Sequence, residues 1–257
     1  MKIARFSHAG TLSFGILDED EREWVVLAGD PMYAGYDTTG ERVKLADATL
    51  LAPALPRSKV VAIGRNYRDH AEEMGSEPPA EPLMFLKPNT SVIGPDDAIV
   101  LPPQSERVEH EGELVVVIGR IGKDVQPQNA LDYVFGYTVG NDVTARDLQR
   151  KDGQWARGKG FDTFCPLGPV IETEFDAASA TIETRVNGDV RQSGRVADLI
   201  HGIPELVAYA SSVWTLLPGD VIMTGTPAGV GPLTAGDRVE VTVSGIGTLS
   251  NPVRAKG

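Results

Sequence analysis

The stretch VEHEGELVVVIG, Val108 to Gly119, limits what this chain can fold into more than any other. From Leu114 to Ile118 every residue is apolar, which is how a strand covered on both faces reads. With side chains alternating, Glu109, Glu111, Glu113, Val115 and Val117 share one face, and His110, Leu114, Val116 and Ile118 share the other. The acidic face therefore turns inward as the strand nears its core. Paired carboxylates in a partly buried place repel, and burial raises the cost of ionising each. A hard divalent cation removes that conflict, which makes Glu111 and Glu113 candidate ligands for Mg²⁺, Mn²⁺ or Ca²⁺. The alternative is a solvent-facing piece of edge strand.

Residues 1–54 read as a small N-terminal α+β unit. KIARF, SFGILD and EWVVLAG have strand character, YAGYDTTGERVKL is polar, and LLAPALPRSK is a Pro-rich linker. Residues 55–257 form the larger unit, with KVVAIG and YVFGYTVGND as further strands. Asn187-Gly188 sits between alternating segments, a strong hairpin signal, and DRVEVTVSGIGTLSNPV closes the chain with alternation and Gly-rich turns. Helices are few and short: RDHAEEM, TARDLQRK, and PELVAYASSVW with proline at its start and a stripe at Leu206, Val207, Ala210 and Val213. The class is mostly β (α+β), built as a barrel-like or rolled sheet.

The formal charge of -12 argues against nucleic acid and anionic membranes as partners. It would also repel an anionic substrate, so an acid-binding site needs a local cation. Cys165 is the single cysteine, which excludes an internal disulfide and a Cys-based zinc site. With no apolar run of membrane-spanning length and no signal-like N-terminus, a cytoplasmic location is expected.

Other stretches offer chemistry. Asp142, in GYTVGNDVTARDLQ, lies where a strand ends and a helix begins, as an N-cap or a third carboxylate ligand. With the helix starting there, Arg146 and Gln149 line up with it and suit a carboxylate or dicarbonyl substrate. His70 and Glu73 are three apart in GRNYRDHAEEMG, an exposed pair or a general-base dyad on a lid. Lys159 stands between two glycines without the rest of a phosphate loop. Thr226, in MTGTPAGVG, suits a ligand carboxylate or a tight turn.

In their order, GRNYRDHAEE, FLKP, HEGELVVVIG, GYTVGNDVTARDLQ, KGFDTFCPLGP, VNGDVRQSG and LLPGDVIMTGTPAGVG resemble the fumarylacetoacetate hydrolase family over about residues 60–253. The resemblance implies a mixed β-roll, a homodimer, and an E-x-E plus Asp site for Mg²⁺ or Mn²⁺ formed by Glu111, Glu113 and Asp142. It implies that His70 and Glu73 are the lid dyad, that Lys159 lies beside the substrate carbonyl, and that Arg146, Gln149, Thr226 and Lys87 contact substrate.

The expected activity is C–C cleavage in a 2-oxo acid through an enolate, with the cation as Lewis acid. An acylpyruvate would be hydrolysed by water activated at His70, and oxaloacetate would be decarboxylated; both release pyruvate. Isomerisation of 2-hydroxyhepta-2,4-diene-1,7-dioate, in aromatic catabolism, uses the same electron sink. A silent metal- or ligand-binding protein and a β-roll interaction module are the readings from other classes.

Overall fold

The computed structural model describes residues 1–257. At its centre lies the strand Gly112–Ile118, buried along its whole length. Its two faces feed two cores. Leu114, Val116 and Ile118 join Leu206, Val207 and Ala210 of the helix Ile203–Val213, together with Ile182, Val241 and Val243 of a second sheet. Val115 and Val117 point the other way, among Ala52, Ala54, Val60, Leu167, Ile171 and Met223. An apolar run with no alternation is what a strand between two layers requires.

The large sheet runs in the order Thr38–Lys44, Glu23–Leu27, Thr11–Asp18, Lys2–His8, Cys165–Glu172, Val134–Asn141, Gly112–Ile118, Val221–Met223, Val60–Gly64, Leu83–Lys87. All neighbours along this path are antiparallel except Val221–Met223 beside Val60–Gly64. A five-stranded sheet packs over one face, in the order Asp189–Arg195, Thr181–Val186, Arg238–Val243, Gly247–Ala255, Ile99–Leu101. The sheets are mixed and open, so the architecture is a roll and not a closed barrel. Asn187 and Gly188, at φ 53° and 87°, turn the first two strands of the smaller sheet into the expected hairpin.

One expectation changes. The acidic stretch is not one continuous strand, because the chain breaks at Glu111. Val108–His110 belongs to a separate three-stranded sheet with Thr144–Ala145 and Gly231–Pro232. The break separates the three glutamates: Glu109 turns to the guanidiniums of Arg107 and Arg146, while Glu111 and Glu113 enter the same cavity wall.

The first five strands extend the large sheet through Lys2–His8, which pairs with Cys165–Glu172. The polar stretch after Leu27 supplies the edge strand Thr38–Lys44. The Pro-rich stretch lies against the protein, with Ala52, Pro53, Ala54 and Pro56 buried. No helix is long and apolar enough to cross a membrane.

Candidate metal and substrate site

Neighbouring strand ends fix the carboxylates. The backbone N–H of Glu111 donates to Asn141 Oδ1 at 2.9 Å, and that of Asp142 donates to the Glu111 carbonyl at 2.8 Å. These bonds hold the two residues side by side. Glu113 reaches the loop after Val221–Met223, where its Oε2 accepts from Gly225 N–H at 2.7 Å. One oxygen from each of Glu111, Glu113 and Asp142 lies within 4.8 Å of the others, and all three residues are buried.

Asp142 is neither a helix N-cap nor in line with Arg146 and Gln149 on a helix face. The short strand Thr144–Ala145 pairs with Val108 and Glu109 and delays the helix to Arg146–Asp152, capped by Ala145. Backbone pairing has overridden the local helix signal.

Buried cations surround the triad. Lys159 Nζ donates to Glu111 Oε2 at 2.7 Å and to Asp142 Oδ2 at 2.6 Å. Lys87 Nζ donates to Asp142 Oδ1 at 2.5 Å. Arg146 donates to Glu109 Oε2 at 2.7 Å, to Gln149 Oε1 at 2.7 Å, and to Glu111 Oε1. Burial alone would raise the Glu111 carboxyl, but Lys159 and Arg146 outweigh it and hold it far below the usual carboxylate range. Lys159 shows the converse: burial disfavours its charge, and Asp142 and Glu111 more than restore it.

Glu113 has no cation on its carboxylate. Burial, followed by repulsion from Asp142 and Glu111, pushes its carboxyl well above the ordinary value. Three oxygen donors in one cradle, one of them lacking a countercharge, fit a hard divalent cation.

His70 lies on the short helix Arg68–Glu73. Its Nδ1 faces Glu73 Oε2 at 3.1 Å, and the same carboxylate accepts from Gly229 N–H at 3.1 and 3.2 Å. An N–H at Nδ1 leaves Nε2 as the basic nitrogen. His70, Glu111, Glu113, Arg146, Gln149, Lys159 and Thr226 line one cavity of about 280 Å³. Glu73, Asp142 and Lys87 stand outside that lining. Lys87, expected against substrate, ends on the Asp142 carboxylate instead. The Thr226 hydroxyl donates to the Gly112 carbonyl at 2.8 Å and accepts from Gln192 Nε2 at 2.7 Å.

Residues unmarked in the sequence also take part. Arg65, Arg150 and Trp155 line the same cavity. Gln192, buried on the hairpin, accepts from Gly112 N–H at 2.9 Å and so ties Thr226 to the strand carrying Glu113. No local signal marks Gln192, because its partners are distant in sequence. Arg65 lies inside GRNYRDH and could have been singled out as a cation beside a turn.

The chain combines a mixed β-roll with a buried carboxylate triad, ringed by lysine and arginine and facing a histidine–glutamate pair, a set of groups whose chemistry fits a divalent cation beside an anionic ligand. The chain belongs to the fumarylacetoacetate hydrolase family: residues 59–254 match the Fumarylacetoacetate (FAA) hydrolase C-terminal family, and residues 1–53 match the Rv2993c-like N-terminal family. It is 56% identical over 222 residues to Protein Rv2993c of Mycobacterium tuberculosis, covering 85% of this chain and 83% of that one. It is 44% identical over 223 residues to the oxaloacetate tautomerase YisK of Bacillus subtilis, covering 81% and 74%. The crystal structure of 5-carboxymethyl-2-hydroxymuconate delta-isomerase from Mycobacterium smegmatis superposes with a TM-score of 0.93 at 50% identity, over 100% of both chains. Fumarylpyruvate hydrolase from Pseudomonas aeruginosa, solved with Mn²⁺ and pyruvate, gives a TM-score of 0.74 at 36% identity over 81% of this chain and 92% of that one.

Proposed function

We propose that this chain is a divalent-cation-dependent enzyme that forms the enolate of a 2-oxo acid, with keto–enol tautomerisation of oxaloacetate as its first activity. The observation that carries this reading is the cavity wall itself, which holds the His70 imidazole, oriented by Glu73, together with the Glu111 and Glu113 carboxylates. Glu111, Glu113 and Asp142 would hold Mg²⁺ or Mn²⁺, which supplies a Lewis acid for the substrate's carboxylate and 2-oxo oxygen.

The chain's own groups do the rest. His70 Nε2 moves the proton between the carbon beside the oxo group and the oxo oxygen, taking it from carbon and delivering it to the enolate oxygen in one direction and the reverse in the other, while the Glu73 carboxylate steadies the imidazolium. The Lys159 ammonium adds positive charge where the oxo oxygen becomes negative. Arg146 and Gln149 shape the wall beside it. Similarity to oxaloacetate tautomerases favours proton transfer as the outcome.

The second reading is C–C cleavage, either hydrolysis of an acylpyruvate by water activated at His70 or decarboxylation of oxaloacetate. Similarity to fumarylpyruvate hydrolase favours it, and it uses the same residues. Isomerisation of an unsaturated hydroxy-dioate differs only in where the proton returns. The assembly we propose is a homodimer, which sedimentation would check.

The deciding experiment follows the ultraviolet absorbance of enol-oxaloacetate, and in parallel pyruvate release from oxaloacetate and acetylpyruvate, with Mn²⁺ and with a chelator. Cation-dependent loss of enol without pyruvate supports tautomerisation, and cation-dependent pyruvate release supports cleavage. Protein that binds Mn²⁺ and does neither would overturn both readings and leave isomerisation of an unsaturated hydroxy-dioate or a ligand-binding role.

A further inference from the structure

The cavity presents four cationic side chains, and two of them are already spoken for. Lys159 and Arg146 are held by Glu111, Asp142 and Glu109. Arg65, partly buried, and Arg150, exposed at the rim, line the same cavity, and neither guanidinium makes a hydrogen bond or ion pair to a protein group. In a chain with 36 acidic and 24 basic residues, two arginines free of carboxylates at one cavity call for an explanation.

Arg65 is also mounted with some care. Its backbone has φ 58°, a left-handed conformation that costs a non-glycine residue free energy and is kept where surrounding structure enforces it. Its guanidinium lies over the Trp155 ring at 5.8 Å from the centroid. The indole is placed in turn by Phe85, edge-on at 5.2 Å, and by Gly64, where a Cβ would come within 2.4 Å of the ring. The contact with the ring face sets where the guanidinium sits while leaving its N–H groups for a ligand.

We infer that Arg65, seated over the Trp155 ring and joined by Arg150, binds the second carboxylate of a 2-oxo dicarboxylic acid and so selects diacids over 2-oxo monoacids. The inference rests on the 2-oxo acid reading above, which assigns the first carboxylate to the triad side of the cavity. A guanidinium fork matches a carboxylate with two parallel hydrogen bonds, whereas a neutral ester offers no charge to meet.

The test compares wild type with Arg65→Met and Arg65→Lys on oxaloacetate and on its 4-methyl ester, which keeps the 2-oxo acid and loses the distal charge. Losing a charged hydrogen-bonded pair should lower kcat/KM for the diacid about 10- to 100-fold more than for the ester in Arg65→Met, with Arg65→Lys between. A second arm measures Kd by calorimetry, on Mn²⁺-loaded protein, for N-oxalylglycine and its glycyl methyl ester, which cannot enolise. Wild type should prefer the diacid, and Arg65→Met should erase most of that preference. Equal losses for diacid and ester, or no loss for either, would overturn the assignment. A wild type inert toward both substrates would remove the enolate reading, and the calorimetric preference would then decide the subsite by itself.

Discussion

The carboxylate of Glu73 binds the imidazole of His70 and the backbone amide of Gly229, joining the helix Arg68–Glu73 to the loop that carries Thr226. One side chain therefore orients the proposed base and fastens its helix. Replacing it with alanine should lower kcat about 100-fold or more, the usual weight of a general base, and should speed amide exchange across residues 68–76. Glu73→Gln keeps an acceptor for Gly229 but no charge for His70. It should lose most of kcat while leaving exchange near the wild-type rate.

Glu113 gives a pH dependence whose sign follows from its environment. Its carboxyl is raised in the fold, so its stabilising contribution is complete below the unfolded carboxyl pKa of about 4.3 and is lost as pH climbs toward the raised value. Glu111 shifts the other way, and its contribution is lost only as pH falls below that same unfolded value. Cation-free protein should therefore lose Tm as pH rises above the unfolded carboxyl value of about 4.3, and the rise in Tm on adding Mn²⁺ should grow in the same direction. Thermal scans in chelator and in saturating Mn²⁺ measure both. A flat cation-free Tm would show that Glu113 is ionised throughout.

Lys159 competes for the oxygens that would hold the cation, since it donates to both Glu111 and Asp142. Lys159→Met should therefore bind Mn²⁺ at least as tightly as wild type while losing about 100- to 1,000-fold in kcat, the weight of one preorganised charge at a developing oxyanion. Calorimetry and steady-state kinetics separate the two effects. Weaker Mn²⁺ binding would make the lysine a scaffold for the triad.

Outside the cavity lining, buried Asp220 accepts from the backbone N–H groups of Lys59 and Leu217 and from the Lys59 ammonium at 2.5 Å. Asp220→Ala leaves those donors without their partner and should cost about 3 kcal/mol of stability. Denaturant unfolding would show this as a lower midpoint with an unchanged slope.

What the sequence carries and what it hides divide along physical lines. The apolar run Leu114–Ile118 states its own burial, because no solvated strand tolerates both faces apolar. Asn187-Gly188 and the stripe of the helix Ile203–Val213 are equally local statements, and the structure contains both elements, with Leu206, Val207 and Ala210 buried but Val213 exposed at the helix end. The break at Glu111 is not local. It exists because Val108 and Glu109 pair with Ala145 and Thr144, and the same pairing displaces the helix start from Asp142. The cationic ring is hidden for a similar reason, since Lys87 and Lys159 meet Asp142 across 55 and 17 residues. Alternation can assign a face to each side chain, but only tertiary pairing decides which faces meet.

The pairing of Lys2–His8 with Cys165–Glu172 has a consequence for any attempt to dissect the chain. A fragment beginning at residue 55 would leave Ile171 and Glu172 with open backbone donors and acceptors along a hydrophobic margin. Such a margin recruits another strand. The shortened protein should thus be prone to self-association, because Lys2–His8 is what occupies that edge in the intact chain.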